Sequence, residues 1–157
     1  MTPLDLAGSS AVTTHIQLLQ GIISRLADNS ASCKNWCLTI VAALLSLGGA
    51  LHVTGIAATG LIPVVMFSIL DALYLSQERA YRDLYGRTVK AVRKGNYAGD
   101  DIYDARAPIS PFDVLKAMGS WSIYPFYGGL ILIYVVAERT GWLAALAVTP
   151  VATAAHG

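Results

Sequence analysis

The 157-residue sequence predicts an all-α integral membrane protein: an amphipathic N-terminal helix, a transmembrane helical hairpin whose second span has a long cytoplasmic extension, and a third transmembrane helix. Three observations carry that prediction. Apolar residues make up 55% of the chain and charged residues 13%, about half the charged fraction of an ordinary soluble domain. The charges are segregated, with none in the 36 residues from Asn35 to Leu70 and none in the 21 from Ala117 to Ala137. The polar segments flanking these runs show helical periodicity. Uncharged runs of this length can cross a hydrocarbon layer about 30 Å thick. The same arithmetic argues against a soluble enzyme, a disordered tail and a disulfide-stapled secreted domain, and a net charge of +1 gives no reason to expect a nucleic-acid partner.

The whole chain, 1–157, reads as a single membrane domain. Its start lacks the basic segment and apolar core of a secretory signal, so no cleaved leader is expected. Residues 14–31 place Ile16, Leu19, Ile23 and Leu26 at alternating steps of three and four, with Gln17, Gln20, Arg25 and Asp28 between them, and predict a cytoplasmic amphipathic helix. Asn29, Ser30 and Ser32 offer a turn or a new N-cap before Lys34, Asn35 and Trp36, a polar and aromatic cluster suited to a membrane interface. Span 1 follows at 36–51. Cys33 and Cys37 lie one helical turn apart, a spacing that suits neither a redox motif nor a zinc site, and are expected to pack as small apolar residues.

Gly48, Gly49, His52, Thr54 and Gly55 interrupt the long uncharged run and predict a tight hairpin turn. Span 2 then covers 56–75, with Pro63 expected to bend it. Beyond it the charges return without a helix breaker, so the helix continues through 76–94 on the cytoplasmic side. Leu70, Tyr74, Gln77, Tyr81, Leu84, Thr88 and Ala91 form a four-three stripe along it, able to pack on the N-terminal helix or on a neighbouring subunit. Glu78 with Arg82 and Asp83 with Arg87 stand at i,i+4 and add pairs worth a few tenths of a kcal/mol each.

Residues 95–116, rich in Gly, Asp and Pro, form a loop with a short interfacial helix at Phe112–Lys116. Span 3 covers 117–137, its first half kinked by Trp121, Tyr124, Pro125 and Tyr127. Residues 138–157 form an exterior tail. Eight Lys or Arg residues lie between Asp71 and Lys116, whereas the hairpin turn has none and the C-terminal tail only Arg139. The positive-inside rule therefore predicts an inner-membrane protein with a cytoplasmic N-terminus and an exterior C-terminus.

No nucleophile elbow, zinc-protease helix, phosphate-binding glycine loop or Cys/His ligand set occurs, so no enzyme activity, cofactor or metal is expected, and His15, His52 and His156 are scattered. The densest polar cluster straddles the exit of span 2. Asp71 lies roughly 22 Å along a helix begun at Ile56, near the inner edge of the hydrocarbon. With Ser68 one turn away it is a candidate pore or gate residue; the alternative is an interfacial carboxylate paired with Arg25 or Lys34. Tyr74, Gln77, Glu78, Arg79, Tyr81, Arg82, Leu84 and Tyr85 are the candidate assembly or partner surface. Ala42, Ser46 and Ala50 form a small-residue ridge for helix packing. Arg87, Lys90, Arg93 and Lys94 read as a solvated basic face or a contact to anionic headgroups.

The run Arg25–Ser30, Lys34 and Trp36 at the opening of a span, the tight hairpin, and the segment from Leu70 to Tyr85 (LDALYLSQERAYRDLY) resemble the SLATT family, small bacterial membrane proteins of conflict and anti-phage systems. The likeness covers residues 14–94; the third span departs from that family's two-span plan. The resemblance implies a non-enzymatic effector or accessory that forms a homo-oligomer in the inner membrane. When triggered, by a nucleotide signal or by a soluble defence protein, such an assembly permeabilises or depolarises the bilayer. The alternative is a membrane anchor whose cytoplasmic helices recruit a soluble partner.

Overall fold

The computed structural model describes residues 10–51, 59–95, 97 and 105–139. Their regular structure is entirely helical: α1 (Ser10–Leu51), α2 (Leu61–Lys94), α3 (Pro111–Met118) and α4 (Tyr124–Arg139). The hairpin turn at 52–55, the start of span 2 and the tail beyond Arg139 lie outside the described residues. Two helices, α1 and α2, are long and apolar enough to cross a membrane.

The chain divides into two compact units. Unit 1 comprises Met1–Ser32 with Ile69–Gly119, and unit 2 comprises Cys33–Ser68 with Ser120–Gly157. The division coincides with the polarity of the sequence. Of the 21 charged residues only Lys34, Glu138 and Arg139 fall in unit 2.

The 42 residues of α1 form one uninterrupted helix, about 63 Å long at 1.5 Å per residue. The turn expected at Asn29–Ser32 is not there. Ser and Asn favour caps because their side chains compete for nearby backbone groups. Here the Ser30 hydroxyl donates instead to Asp71 of α2, so it has no cap to form and the helix continues through it. Val12, His15, Leu19, Leu26 and Ser30 are buried along the unit 1 part of the helix, and Cys33, Cys37 and Val41 along the unit 2 part. The predicted stripe has the right period, but its centre is shifted: Leu19 and Leu26 are buried, whereas Ile16 and Ile23 are half-buried. Both cysteines are buried thiols. The hydroxyls of Thr39 and Ser46 donate to the carbonyls of Asn35 and Ala42, four residues back, at 2.9 and 2.8 Å. Such bonding satisfies a polar side chain on an apolar helix without an outside partner.

Helix α2 runs 34 residues. Pro63 lies in its first turn, where a missing backbone N–H removes no intrahelical bond and gives no cause for the expected bend. The helix stops at Gly95, whose φ of 70° is left-handed and whose N–H donates to the Val92 carbonyl at 3.1 Å. Arg93 and Lys94 sit in the last turn, favourably placed toward the negative end of the helix dipole.

Within unit 1, α1 and α2 pack antiparallel. Val12 shares a cluster with Val92 and Tyr97, Gln20 Nε2 donates to Tyr85 Oη at 3.2 Å, and Ser30 meets Asp71. The N-terminal helix thus packs on α2 within the chain, through Asp71, Tyr85 and Val92, each one residue beyond a member of the predicted stripe, while Leu70 of that stripe is exposed.

Helix α3 begins with a complete capping box. Ser110 Oγ accepts from the Asp113 backbone N–H at 3.3 Å, the Asp113 carboxylate accepts from the Ser110 backbone N–H at 2.9 Å, and Pro111 occupies the first turn. The 21-residue uncharged run from Ala117 is not one helix. Ala117 and Met118 end α3, Gly119 caps it, and a turn held by Ile123 N–H to Ser120 O at 3.0 Å leads into α4. In α4 the buried side chains Tyr127, Leu130, Tyr134 and Ala137 recur at steps of three and four, and Tyr127 Oη donates to the Phe67 carbonyl of α2 at 3.3 Å, within unit 2.

Candidate functional site

Most polar side chains that the sequence singles out reach the surface or the interior of unit 1, and they separate into three groups. The first is a buried polar contact between α1 and α2. Asp71 is 0% exposed and accepts a hydrogen bond from Ser30 Oγ, itself buried. Ser30, a short donor from the facing helix, was not anticipated as its partner; the sequence suggested Arg25 or Lys34. Ser68 belongs to unit 2 and spends its hydroxyl on the Val65 carbonyl of its own helix at 2.8 Å. The candidate gate pair therefore consists of one enclosed carboxylate and one hydroxyl bonded to its own backbone.

The second group is the candidate assembly surface. Tyr74, Gln77, Tyr81, Leu84 and Tyr85 are half-buried, Glu78 is buried, and Arg79 and Arg82 are exposed. Glu78 Oε1 takes a hydrogen bond and ion pair from Arg82 Nε at 2.7 Å. Tyr85 is engaged by Gln20 of α1, and beside them Ile23, Ser24 and Arg82 line a small surface depression.

The third group was not assembled by sequence reading. A groove of about 700 Å³ runs along the solvent side of α2 in unit 1. Arg79, Arg82, Arg87 and Lys90 line one wall at helical spacing, and Lys116 of α3 enters from the other wall, which Ala107 and Pro108 complete. Five cations thus converge against two acids, Asp83 and Asp113. The carboxylate of Asp113 is committed to the α3 cap: its bonds from the Ser110 backbone N–H and hydroxyl hold its pKa below the usual carboxylate range. Gly86 forms part of the lining, and a Cβ there would meet nothing within 4 Å. The basic run at 87–94 was visible in sequence; its convergence with Lys116 depends on the chain returning through 105–118, which no local pattern shows.

Sequence reading also missed the buried pairing of His15 Nδ1 with Tyr97 Oη, which lies 82 residues away. Tyr97 also belongs to an apolar cluster with Val12 and Val92, against which Ile16 and Ala91 pack. His15 occupies a position in the buried α1 stripe, a signal that periodicity alone could have supplied. Among the described residues no group of three or more His, Cys, Asp or Glu side chains is placed to hold a metal.

Compared with protein-family models, with curated proteins and with solved structures, the chain matches none of them.

Proposed function

We propose that this chain is a non-enzymatic, multi-pass membrane protein that acts as an oligomer in the bacterial inner membrane. The observation that carries the reading is the surface of unit 2. Ile62 is 65% exposed, Trp36 63% and Leu132 63%, and Leu38, Val65, Met66, Ile133 and Val136 are also exposed, on a unit with three charged residues. Water would make such a surface a large aggregation liability, whereas hydrocarbon solvates it. Crossings by α1 and α2, with α4 as a third and shorter membrane segment, fit the distribution of Lys and Arg. Helix α4 contributes an apolar stretch of 14 residues, Tyr124–Ala137, about 21 Å of helix against about 30 Å of hydrocarbon. It meets the bilayer thickness with help from the aromatic turn that precedes it or by local thinning.

The ridge of Ala42, Ser46 and Ala50 is exposed on α1 among the described residues. A small-residue ridge bare to lipid suits close approach of a second copy. Together with the resemblance to SLATT proteins, this supports an effector or accessory of an anti-phage system that permeabilises or depolarises the membrane when triggered by a partner protein. Asp71 is enclosed against Ser30, so on this reading the trigger would have to expose it before it could act as a gate. Purified protein reconstituted in liposomes tests this: a mass larger than the monomer with dye or ion leakage supports it, and a monomer in tight liposomes, with the trigger supplied, rejects it.

A second reading, a membrane anchor whose cytoplasmic helices recruit a soluble partner, is favoured by the basic groove of unit 1. It requires no leak, and a tight liposome with partner capture distinguishes it.

A further inference from the structure

We infer that the groove between α2 and the 105–118 segment is a binding site for a ligand bearing several phosphate groups, either a multiply charged lipid headgroup or a soluble polyphosphate. The inference lies entirely within unit 1 and holds under either reading of the function.

Three features point to this chemistry. The first is convergence: Lys116, carried by α3, faces the cations of α2 across the groove, although bringing like charges together is unfavourable without a counter-anion. The acids do not balance them: Asp83 and Asp113 line the groove and Glu78 pairs with Arg82, which leaves five cations against three carboxylates. The second is room. A volume of about 700 Å³ is in the range of small-molecule sites, and Gly86 leaves the groove floor open where any side chain would occupy it. The third is the choice and spread of donors. Three of the five cations are arginines, whose planar forks grip phosphate oxygens in pairs, and from Arg79 to Lys90 they extend about 17 Å along α2. That span matches several linked phosphates better than a single anion.

The test uses the full chain in phosphatidylcholine nanodiscs, titrated with inorganic tripolyphosphate by calorimetry, alongside nanodiscs containing cardiolipin. Two double variants are compared: Arg87→Gln with Lys90→Gln inside the groove, and Arg93→Gln with Lys94→Gln on the same helix outside it. Gly86→Phe fills the groove with no change of charge, and circular dichroism verifies that each variant keeps its helices. The groove pair should weaken binding about tenfold or more, the outside pair by less than about twofold, and Gly86→Phe should reproduce the loss. Saturable tripolyphosphate binding with this pattern assigns a soluble ligand; the same pattern only with cardiolipin assigns a headgroup. No binding from either source, equal losses from the two double variants, or hexaglutamate binding as tightly as tripolyphosphate overturns the inference. Membrane sedimentation is read separately, so a chain that leaves the membrane fraction refutes the proposed function without deciding the groove.

Discussion

Replacing Ser30 by Ala removes the hydroxyl that donates to the enclosed Asp71 carboxylate. Loss of a partner from a buried polar group costs about 1–3 kcal/mol, whereas Ser32→Ala on the exposed face of the same helix should stay within about 0.5 kcal/mol. Reversible unfolding in mixed detergent micelles measures both, and equal effects would remove Ser30 from the account of how α1 and α2 associate. Asp113 supplies a pH test. Its folded pKa lies below that of an unfolded aspartate, so the stability it lends the α3 cap is complete above the ordinary carboxylate range and is lost as pH falls through the lowered folded value. An NMR titration should find Asp113 titrating below a denatured-state aspartate, with Ser110→Ala returning it toward the ordinary value; an Asp113 that titrates normally in the native protein contradicts the capping box. At this scale the sequence was informative about identity and less so about pairing. Asp71 stood out by its depth in an apolar run, but Ser30 is 41 residues away, and a serine in a helix carries no mark of its partner.

Helix α1 raises the converse problem, that local signals can be outvoted. Asn29, Ser30 and Ser32 look like a break, yet α1 runs through them because packing of its buried stripe, and the bond to Asp71, outweigh a cap preference worth about 1 kcal/mol. Pro63 similarly looked like a kink until its place in the first turn of α2 made it neutral. The apolar periodicity and the extension of α2 past its last apolar turn were legible because both are sums over many residues. Gly21 gives a direct test of helix α1. It is exposed within the helix, and a Cβ there would meet nothing within 4 Å. Gly21→Ala should therefore stabilise the protein by about 0.5–1 kcal/mol in the same unfolding assay; destabilisation would mean that this face is covered in the assembled protein. Ser46→Leu addresses the opposite expectation on the same helix, since a bulky side chain in the Ala42–Ala50 ridge should shift the detergent-solubilised protein toward monomer by light scattering. An unchanged mass would remove the ridge from the interface.

For the whole molecule, the partition of charge explains the partition of structure. Nearly all charged residues belong to the unit that contains the groove, the Ser30–Asp71 contact and the His15–Tyr97 pair, while the other unit turns bare Ile, Leu, Val and Trp outward. That arrangement was readable from composition alone, because segregated charge needs no knowledge of contacts. The groove was not, because its second wall returns only after the chain has passed through a Gly- and Asp-rich stretch with no periodicity. The central claim is that lipid is the solvent for unit 2, and alkaline carbonate extraction of membranes expressing the full chain tests it most directly. The protein should stay in the washed pellet and be released only by detergent; a folded protein in the carbonate supernatant would show that water, not lipid, solvates unit 2.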